Sequence, residues 1–434
     1  MQVFRIRGGR PLNGKVKIAG AKNSVLELMP AALLTAEPVT LKNVPDLADI
    51  ATLKELLEGL GVKLTWDKPN HTLHIDAREI ASVKAPYEVV SKMRASIYVL
   101  GALLGRKGEA KVASPGGCVI GSRPINVHLD AFEALGAKIS HKHGYIVATA
   151  PGARLRGGTV NGLVKMQDDV PITTHGGNVN TIEAAVLAQG HTTIRYASQE
   201  PEVDDLMNML NAMGAKISRA RDGDVNTIEI DGVESLHGVE YSVMPDRLEA
   251  ATYAISAVMT RGRIEIDGAD VSKMQAVLDK LREAGAKIEP TATGFIADGR
   301  DTDLRAVDID VEQYPGFPTD VQSQFMALMT IAKGASTLHE TLFENRLMYV
   351  PELGRMCADI EILDAKTARF RGVESLCAAD VSASDLRSGA ALAIAGLAAS
   401  GETVLHDVHH VYRGYQDFVK NLRSLGADIE VEEI

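Results

Sequence analysis

The chain has few cysteines, few aromatic residues and no long apolar run. It contains 3 cysteines and 1 tryptophan in 434 residues, and aromatic residues make up 4% of it. Three cysteines cannot form a closed set of disulfides, and no Cys-x-x-Cys spacing is present, which argues against a disulfide framework and against a zinc knuckle. We therefore expect a reducing, cytoplasmic environment. No window approaches the roughly 18 consecutive apolar residues of a membrane span, so no membrane partner is expected.

Basic residues are outnumbered by acidic residues. Lys and Arg total 46 against 57 Asp and Glu, which gives a net charge of −11. Nucleic-acid binding requires an excess of positive charge, so a nucleic-acid partner is not expected. An apolar content of 45% is typical of a globular protein, and the length exceeds what one core usually serves. Two domains are the default expectation.

A short pattern recurs six times at intervals of 69 to 78 residues. The copies are LGVKL at 60, LGAKI at 135, MGAKI at 213, AGAKI at 284, MCADI at 356 and LGADI at 425. Each copy ends an apolar-periodic segment such as LDAFEALGA and precedes a β-rich run, so it predicts a helix, a glycine C-cap and a strand. Cys357 occupies the glycine position of the fifth copy. The repeat predicts six α/β units.

An earlier helix in each unit is rich in small residues, as in DLRSGAALAIAGLAASG at 385. Small residues on several faces predict helices that pack closely together, with the sheets outside them. Six such units divide naturally as three plus three.

Conspicuous polar residues concentrate where these helices begin. The first-helix starts carry Lys22, Asn23, Arg94, His175, Asn178, Asp246, Arg247, Asp320, Asp385 and Arg387, and the second-helix approaches carry Asp46, Cys118, Arg123, Glu200, Asp267, Arg346 and Arg413. A cation at a helix N-terminus opposes the helix dipole and needs a compensating anion, which a phosphate or carboxylate ligand can supply. The basic members predict an anion-binding cleft, whereas Asp246 and Asp320 could be simple helix caps.

Cys118 lies in the glycine-bearing stretch SPGGCVIGSRP, close to Arg123. A neighbouring cation can activate a thiol as a nucleophile, while work as a general acid requires the thiol to keep its proton, and the residues alone leave both roles open. His128 lies on the following helix, but no recognised motif pairs it with Cys118, so a hydrolase triad has weak support. The GxxxxGK[ST] pattern of nucleotide hydrolases is absent.

Nine stretches together resemble the enolpyruvyl transferases. They are GAKNS at 20, KMRAS at 92, PGGCVIGSRP at 115, EPEV at 200, PDRLE at 245, FPTDVQSQF at 317, FENRLMYVPEL at 343, DLRSGAAL at 385 and YRGY at 412. The resemblance implies a two-domain inside-out α/β barrel, with three units per domain around buried parallel helices and the active site in the cleft between the domains. It implies one domain over residues 21–236, with the Cys118 loop, and a second over 1–20 plus 237–434.

The resemblance also implies the chemistry. The 3-hydroxyl of UDP-N-acetylglucosamine would add to C2 of phosphoenolpyruvate, phosphate would leave, and no metal or organic cofactor would be needed. Cys118 would be the acid toward the enolpyruvyl methylene, and Asp320 the base near the attacking hydroxyl. The remaining implied roles are phosphoenolpyruvate binding by Lys22, Asn23, Arg123 and Arg413, nucleotide-sugar contacts at Arg94, Arg123, Pro124, Ile125, Asn126, Val127, His175, Asp320 and Leu342, and other cleft positions at Glu200, Arg346, Asp385 and Arg387.

Three departures from the family pattern lie on the acceptor side. The segment MQDDVPITTHGGNVN lacks a usual Lys and has His175 where Val is usual, Asn126 replaces Asp, and Gln199 replaces Arg. The same chemistry on a different nucleotide or sugar acceptor therefore stays open. The shikimate-pathway relatives fit less well because they lack the cysteine loop. A non-catalytic ligand-binding relative is a further alternative.

Overall fold

The structure is a computed structural model that describes residues 2–114, 125–165 and 171–434. Cys118, Arg123 and Pro124 lie outside the described residues. The described α-helices are α1 (Lys22–Ala31), α2 (Ala48–Gly59), α3 (Tyr87–Val90), α4 (Val99–Lys107), α5 (Asn126–Ala134), α6 (His175–Ala185), α7 (Pro201–Ala212), α8 (Arg247–Met259), α9 (Gln275–Glu283), α10 (Gln322–Met329), α11 (Val350–Arg355), α12 (Leu386–Ala398) and α13 (Phe418–Ser424). Short 3-10 helices span Ala32–Leu34, Arg94–Tyr98, Pro151–Ala153, Val271–Lys273, Thr319–Val321 and Val408–Arg413.

The described strands are short and numerous. They are β1 (Gln2–Arg7), β2 (Asn13–Lys17), β3 (Val39–Lys42), β4 (Lys63–Asp67), β5 (Thr72–Asp76), β6 (Lys84–Ala85), β7 (Glu109–Ala113), β8 (Lys138–Lys142), β9 (Tyr145–Thr149), β10 (Thr159–Asn161), β11 (Leu163–Lys165), β12 (Pro171–Thr173), β13 (His191–Arg195), β14 (Lys216–Asp222), β15 (Val225–Asp231), β16 (Glu240–Ser242), β17 (Arg263–Asp267), β18 (Lys287–Pro290), β19 (Gly294–Asp298), β20 (Ile309–Val311), β21 (Ala335–Glu340), β22 (Asp359–Ile362), β23 (Thr367–Arg371), β24 (Asp380–Ser382), β25 (Glu402–His406) and β26 (Asp428–Glu433).

The described residues fall into two compact units. The C-terminal unit contains residues 2–19 and 245–434, and the N-terminal unit contains the described residues from 20 to 244. The chain passes between the units after residues 19 and 244, near the expected passages after residues 20 and 236. Strand β16 belongs to the N-terminal unit because it pairs in parallel with β3.

Both units contain four-stranded sheets of one pattern, and the N-terminal unit also has a two-stranded antiparallel sheet of β11 and β12. In the N-terminal unit the strand orders are β16-β3-β5-β4, β6-β7-β9-β8 and β10-β13-β15-β14, and in the C-terminal unit they are β18-β19-β17-β2, β20-β21-β23-β22 and β24-β25-β1-β26. Each has one parallel pair and two antiparallel pairs, as β2 with β17, β17 with β19 and β18 with β19 illustrate. The N-terminal strand β1 completes a sheet with β25 and β26 from the other end of the chain.

The small-residue helices are buried, as their composition predicts. Every residue of α8 is buried, and so are the residues from 387 to 397 in α12. Helix α10, which carries larger side chains such as Phe325 and Met326, is also buried throughout. These three helices contact one another in the C-terminal unit, and α4 contacts α1 and α6 in the N-terminal unit. Alanine, glycine and serine on several faces allow this close packing because they keep the helix surfaces narrow.

The six predicted junctions lie at helix ends. Residues 61, 136, 214, 285 and 426 are glycines with φ between 85° and 105°, and Cys357 has a φ of 66° at the corresponding place. A left-handed residue after the last helical turn is the usual way to end a helix before a strand, and glycine adopts this conformation without steric cost. The pattern found in the sequence therefore marks a backbone requirement.

Candidate active site

Lys22 begins α1 with its side chain almost fully buried. The backbone N–H of Ala21, the residue before it, donates to the carbonyl of Met244 at 2.7 Å, which fixes the start of the helix. Lys22 Nζ lies 3.3 Å from Asp49 Oδ2, and the side chains are 9% and 8% exposed. Asp49 lies in the first turn of α2, where the helix dipole favours an acid. The chain itself thus supplies one counter-charge to this buried cation.

His175 begins α6 and pairs with an acid on α1. Its Nε2 lies 2.5 Å from Glu27 Oε1, and its side chain is 31% exposed whereas that of Glu27 is 1% exposed. Burial by itself lowers the pKa of His175, but the charge and hydrogen bond of Glu27, aided by Glu200 and Glu202, outweigh burial and raise this pKa to about 9. His175 therefore carries a positive charge at neutral pH.

Further buried acids surround this pair in the N-terminal unit. Burial, together with the charge of Glu27, raises the pKa of Glu183 well above its usual range. Neither carboxyl oxygen of Glu183 has a hydrogen-bond partner among the described residues. Asp205, in contrast, accepts bonds from the hydroxyls of Ser24 and Tyr241 and from the backbone N–H of Met244. Asp205 thereby ties α7 to α1 and to the end of the unit.

Asn178 supports the same region through its amide group. Its Nδ2 donates to the carbonyl of Thr174 at 2.6 Å, and its Oδ1 accepts the backbone N–H of Ser198 at 3.0 Å. Thr174 caps α6 by accepting the backbone N–H of Gly177. Asn178 thus holds the turn that leads to Glu200, the N-cap residue of α7.

His128 is a buried structural residue of α5. Its Nδ1 lies 2.8 Å from the side-chain amide nitrogen of Asn180, so the neutral ring accepts a hydrogen bond there. Burial lowers the pKa of His128 to about 3, and the positive charge of Arg94 contributes. A ring with this pKa stays neutral near pH 7, and its Nδ1 is occupied, which further weakens the case for a hydrolase triad.

Asp320 lies between two arginines in the C-terminal unit. It occupies the 3-10 helix that leads into α10. Arg346 Nη2 donates to Asp320 Oδ1, while Nε and Nη2 of Arg387 lie 3.3 Å and 3.2 Å from Oδ2. The arginine side chains are 7% and 3% exposed, whereas that of Asp320 is 26% exposed. The two buried arginines thus fix the Asp320 carboxylate, and part of its side chain stays exposed to solvent.

A buried polar network fixes Arg387 from its other end. Arg387 Nη1 donates to the hydroxyl of Tyr415 at 3.1 Å, and the guanidinium lies 5.4 Å from the centroid of the Tyr415 ring. The same hydroxyl contacts Thr252 Oγ1 and Gln324 Nε2, and Gln324 Nε2 also donates to the backbone carbonyl of Asp320. Side chains from α8, α10 and α12 therefore converge behind the carboxylate.

Arg413 ends the 3-10 helix Val408–Arg413 between anchored neighbours. The ring of Tyr412 packs edge-on against Phe4 with centroids 5.8 Å apart, and Tyr415 is fully buried. A Cβ added at Gly414 would lie 2.4 Å from Leu386 Cδ1, so the backbone packs tightly against α12. The anchored segment fixes the backbone from which Arg413 projects.

Leu342 is held beside Asp320 by a buried acid. Glu340 ends β21 and accepts the backbone N–H groups of Leu342 at 2.8 Å and Phe343 at 3.2 Å. Its other oxygen accepts the hydroxyl of Thr319 at 2.7 Å. Burial raises the pKa of Glu340, although these hydrogen bonds oppose the shift. Glu340 therefore couples the two chain segments that carry Asp320 and Leu342.

Two of the predicted acids are helix caps. Asp385 accepts the backbone N–H groups of Arg387 and Ser388 in a capping box at the start of α12. Asp246 accepts those of Leu248 and Glu249 at the start of α8. Each carboxylate satisfies N–H groups that a helix start leaves without partners. Asp246 is therefore the simple cap that its position predicts.

The predicted residues divide between the two units. Lys22, Asn23, Arg94, His175 and Glu200 lie in the N-terminal unit, where Ile125 is the N-cap residue of α5 and Asn126 and Val127 begin that helix. Asp320, Leu342, Arg346, Asp385, Arg387 and Arg413 lie in the C-terminal unit. The predictions for Cys118, Arg123 and Pro124 fall outside the described residues.

Sequence reasoning missed the buried partners of these residues. Asp49, Glu27, Glu340 and Tyr415 each contact a predicted residue. The first three lie outside the nine stretches that carry the resemblance, and Tyr415 ends the stretch YRGY without having been predicted as a site residue. An acid such as Glu27 inside an apolar helical run was the available signal, because a buried charge needs a partner. The identity of that partner depends on tertiary packing.

A cavity beside the start of α8 is lined by residues that include Arg247, Lys273 and Tyr314. Within residues 2–114, 125–165 and 171–434, no cluster of three or more His, Cys, Asp or Glu side chains could hold a metal ion. No helix in that part of the chain is both long enough and apolar enough to cross a membrane.

Repeated four-stranded sheets over buried helices, with basic residues at helix starts, define a two-unit α/β protein suited to an anionic ligand. Residues 6–422 match the family of EPSP synthase (3-phosphoshikimate 1-carboxyvinyltransferase). The chain is 48% identical over 429 residues to the UDP-N-acetylglucosamine 1-carboxyvinyltransferase of Gluconobacter oxydans (strain 621H), with 99% of each chain covered. The enzyme of the same name from Idiomarina loihiensis is 46% identical over 430 residues, again with 99% of each covered.

Solved structures agree with this assignment. The enolpyruvyl transferase NikO from Streptomyces tendae superposes with a TM-score of 0.88 at 28% identity, over 99% of this chain and 98% of that one. EPSP synthase from Acinetobacter baumannii has a TM-score of 0.75 at 19% identity over the full length of both chains, which supports the fold alone. The chain therefore belongs to the EPSP synthase family of enolpyruvyl transferases.

Proposed function

We propose that this protein transfers the enolpyruvyl group of phosphoenolpyruvate to the 3-hydroxyl of UDP-N-acetylglucosamine and releases phosphate. The observation that carries the proposal is the 46–48% identity, over 98–99% of both chains, to relatives that bear the name of this activity. In a bacterium the reaction would be the first committed step of peptidoglycan synthesis, carried out in the cytoplasm. Six repeated units, three per domain in an inside-out barrel, are the proposed finer description of the fold.

Phosphoenolpyruvate carries a phosphate and a carboxylate, so its site needs fixed cations. We assign this role to Lys22, Arg123 and Arg413, with Asn23 beside Lys22. Two of these groups have defined surroundings: Lys22 is buried against Asp49, and Arg413 projects from an anchored segment. Fixed cations bind an anion better than mobile ones because less side-chain freedom is lost on binding.

Asp320 is the proposed base for the acceptor hydroxyl. Its carboxylate would accept the proton of the 3-hydroxyl while the hydroxyl oxygen forms a bond to C2 of phosphoenolpyruvate. The accessible part of its side chain, 26%, is compatible with this approach. Arg346 and Arg387 hold both carboxylate oxygens, so we assign them a positioning role.

Cys118 is the proposed acid that protonates C3 of phosphoenolpyruvate, the carbon at the other end of the C2–C3 double bond. Its thiol would give a proton to C3 as C2 is attacked, which forms a tetrahedral adduct with a methyl group. Cleavage of the C2–O bond to phosphate and loss of a proton from that methyl group then restore the double bond. One acceptor and one phosphoenolpyruvate thus give one enolpyruvyl ether and one phosphate.

A different acceptor is the second candidate, because the departures lie on the acceptor side. His175 stands where the family usually has Val, and its charge is paired with Glu27. A cation at that place would suit a more anionic acceptor than the usual one. Asn126, at the exposed start of α5, removes a carboxylate that the family usually has there.

The test is phosphate release from phosphoenolpyruvate with a panel of acceptors. We expect release with UDP-N-acetylglucosamine, together with a product whose mass exceeds that of the acceptor by one enolpyruvyl group. Uridine nucleotides and other nucleotide sugars serve as comparison acceptors, and Lys22→Met as the inactive control. Faster turnover of another panel member would favour the second candidate. No release with any acceptor would favour a non-catalytic relative and overturn the proposal.

A further inference from the structure

One backbone hydrogen bond recurs at the six helix ends. In each unit the strand after the helix pairs with a second strand, and a residue shortly after that second strand, here called the returning residue, lies near the helix end. Its N–H donates to the carbonyl of the residue before the left-handed position. The bonds are Ala81 to Leu60 at 2.9 Å, Arg156 to Leu135 at 3.0 Å, His237 to Met213 at 2.9 Å, Arg305 to Ala284 at 3.0 Å, Cys377 to Met356 at 2.9 Å and Asn13 to Leu425 at 2.8 Å. The left-handed residue and the returning residue are therefore neighbours in space.

At two of the five glycine junctions a Cβ added at the left-handed position would meet the returning residue, whereas at Gly136 it would meet nothing within 4 Å, and at Gly285 and Gly426 its nearest neighbours belong to other residues. A Cβ added at Gly61 would lie 2.6 Å from the Cβ of Ala81, its returning residue. A Cβ added at Gly214 would lie 3.3 Å from Cδ2 of His237, the returning residue of the third unit. In these two units a side chain at the left-handed position would therefore be directed at the side chain of the returning residue.

The fifth unit places cysteine at both positions. Cys357 takes the left-handed conformation with a φ of 66°, and it is the one non-glycine residue among the six junctions, all of which lie in the described residues. A side chain in this conformation costs stability relative to glycine. Cys377 is the returning residue, and both cysteines are exposed and free. The proximity of the Cys357 thiol is the main cause that raises the pKa of Cys377.

We propose that Cys357 and Cys377 form a redox-active dithiol, which low-molecular-weight disulfides oxidise to an intramolecular disulfide. Adjacent side chains satisfy the first requirement for such a bond, namely that the two Cβ atoms approach closely. The exposure of both cysteines satisfies the second requirement, which is that the oxidant can reach a sulfur atom. The site is separate from the proposed catalytic thiol, Cys118.

The oxidation balances in two exchange steps. Cys357, as a thiolate, attacks one sulfur of a disulfide such as oxidised glutathione, forms a mixed disulfide and releases one glutathione thiolate. Cys377 then loses its proton and attacks the sulfur of Cys357, which releases the second glutathione. The protein gives up two electrons and two protons, and glutathione disulfide takes them up. Cys377 acts second because its interaction with Cys357 raises the pKa of Cys377, so that this thiol keeps its proton longer.

The disulfide would enclose the hairpin of β22 and β23. These strands lie between the two cysteines in sequence and pair antiparallel. The bond would join the end of α11 to the segment after β23 and would restrict the unfolded chain. We therefore expect the oxidised protein to unfold at a temperature several degrees higher than the reduced protein.

The test uses the full chain with Cys118→Ser, so that the remaining thiols are the pair. After incubation with oxidised glutathione, intact mass should fall by two hydrogens, and a digest without reductant should contain a peptide that links residues 357 and 377. Dithiothreitol should reverse both changes and the thermal shift. Cys357→Gly, which restores the glycine of the other units, and Cys377→Ala are the matched controls.

Each control keeps one thiol and should accumulate a stable mixed disulfide with glutathione, because no second thiol can resolve it. This outcome shows that the oxidant reaches each sulfur. The proposal is overturned if the parent protein carries two glutathione adducts under those conditions. It is equally overturned if both parent thiols remain reduced while the single variants become modified.

Discussion

Arg387 holds one carboxylate oxygen of Asp320 with two of its nitrogens, Nε at 3.3 Å and Nη2 at 3.2 Å. The third nitrogen, Nη1, donates to Tyr415 at 3.1 Å. A planar guanidinium can make these contacts together, whereas a lysine ammonium is a single point of charge. The pair therefore fixes the direction in which the carboxylate faces.

Removal of the carboxylate charge should stop proton transfer without unfolding the protein. For Asp320→Asn we expect kcat to fall by roughly 10²–10⁴-fold, the usual contribution of a general base, with little change in phosphoenolpyruvate affinity. Steady-state kinetics with phosphate detection measure both. Unchanged kcat would contradict the assignment of Asp320 as the base.

Loss of the Arg387 guanidinium should lower activity by changing the position of the Asp320 carboxylate. Arg387→Lys keeps the charge and should lower kcat by about 10–100-fold, because the carboxylate is no longer held at a fixed angle. Tyr415→Phe removes one contact of Arg387 and leaves the ring, so its effect should be smaller. A larger fall in kcat for Tyr415→Phe than for Arg387→Lys would argue against the Arg387 guanidinium as the group that positions Asp320.

Cys118 should be the site of alkylation by fosfomycin, the epoxide that reacts with the loop cysteine of the family. Peptide mass spectrometry should find the adduct on Cys118 and not on Cys357 or Cys377. Cys118→Ser is the control and should lose the label along with enolpyruvyl transfer. Modification confined to Cys357 or Cys377 would count against Cys118 as the reactive thiol.

The pairing of His175 with Glu27 should make stability depend on pH. The pKa of His175 is raised from 6.5 to about 9, so its stabilising contribution is complete below pH 6.5 and is lost as the pH rises through 9. Allowing for the partly exposed ring, we expect a loss of roughly 1–2 kcal/mol over this window. Thermal midpoints from pH 6 to 10 measure it, with an expected fall of about 2–6 °C.

The control for this window removes both charges. A Glu27→Gln, His175→Gln double variant cannot form the ion pair and should lack the extra fall in thermal midpoint between pH 6.5 and 9. Single variants are less informative because each leaves an unpaired buried group. A double variant with the same pH profile as the parent protein would contradict the raised pKa of His175.

Glu249 offers a second pH-dependent test, in the C-terminal unit. Burial, with a contribution from Asp246, raises its pKa from 4.5 to about 8. Its Oε2 accepts the backbone N–H of Ala19 at 2.9 Å, and its Oε1 has no partner among the described residues. The protonated acid is thus the favoured form, and its stabilising contribution is complete below pH 4.5 and lost as the pH rises through 8.

Glu249→Gln should remove this pH dependence while keeping an acceptor for Ala19. We expect the variant to gain on the order of 2 kcal/mol relative to the parent protein between pH 5 and pH 9. Denaturant unfolding at both pH values measures the difference. Asp246→Asn, which keeps a capping oxygen, should reduce the effect only in part. A constant difference between parent and Glu249→Gln would show that Glu249 is ionised throughout.

The local features of the fold could be predicted from sequence because they have local causes. The left-handed position after a helix favours glycine, so the LGAKI-like pattern marked the helix ends. Small residues on several faces likewise predicted that α8 and α12 would be buried. The strand order could not be predicted in the same way, because the pairing of β1 with β26 joins residues from opposite ends of the chain.

In the candidate site, too, some features could be predicted from sequence and others depended on tertiary structure. Sequence by itself determined the residue types and the order of the motifs, and from these Lys22, Asp320, Arg387 and Arg413 were predicted as site residues. Only tertiary structure decided which partner each one has. Asp49 lies 27 residues from Lys22, and Asp320 lies 67 residues from Arg387. A buried charge must be paired, but packing selects the group that pairs with it.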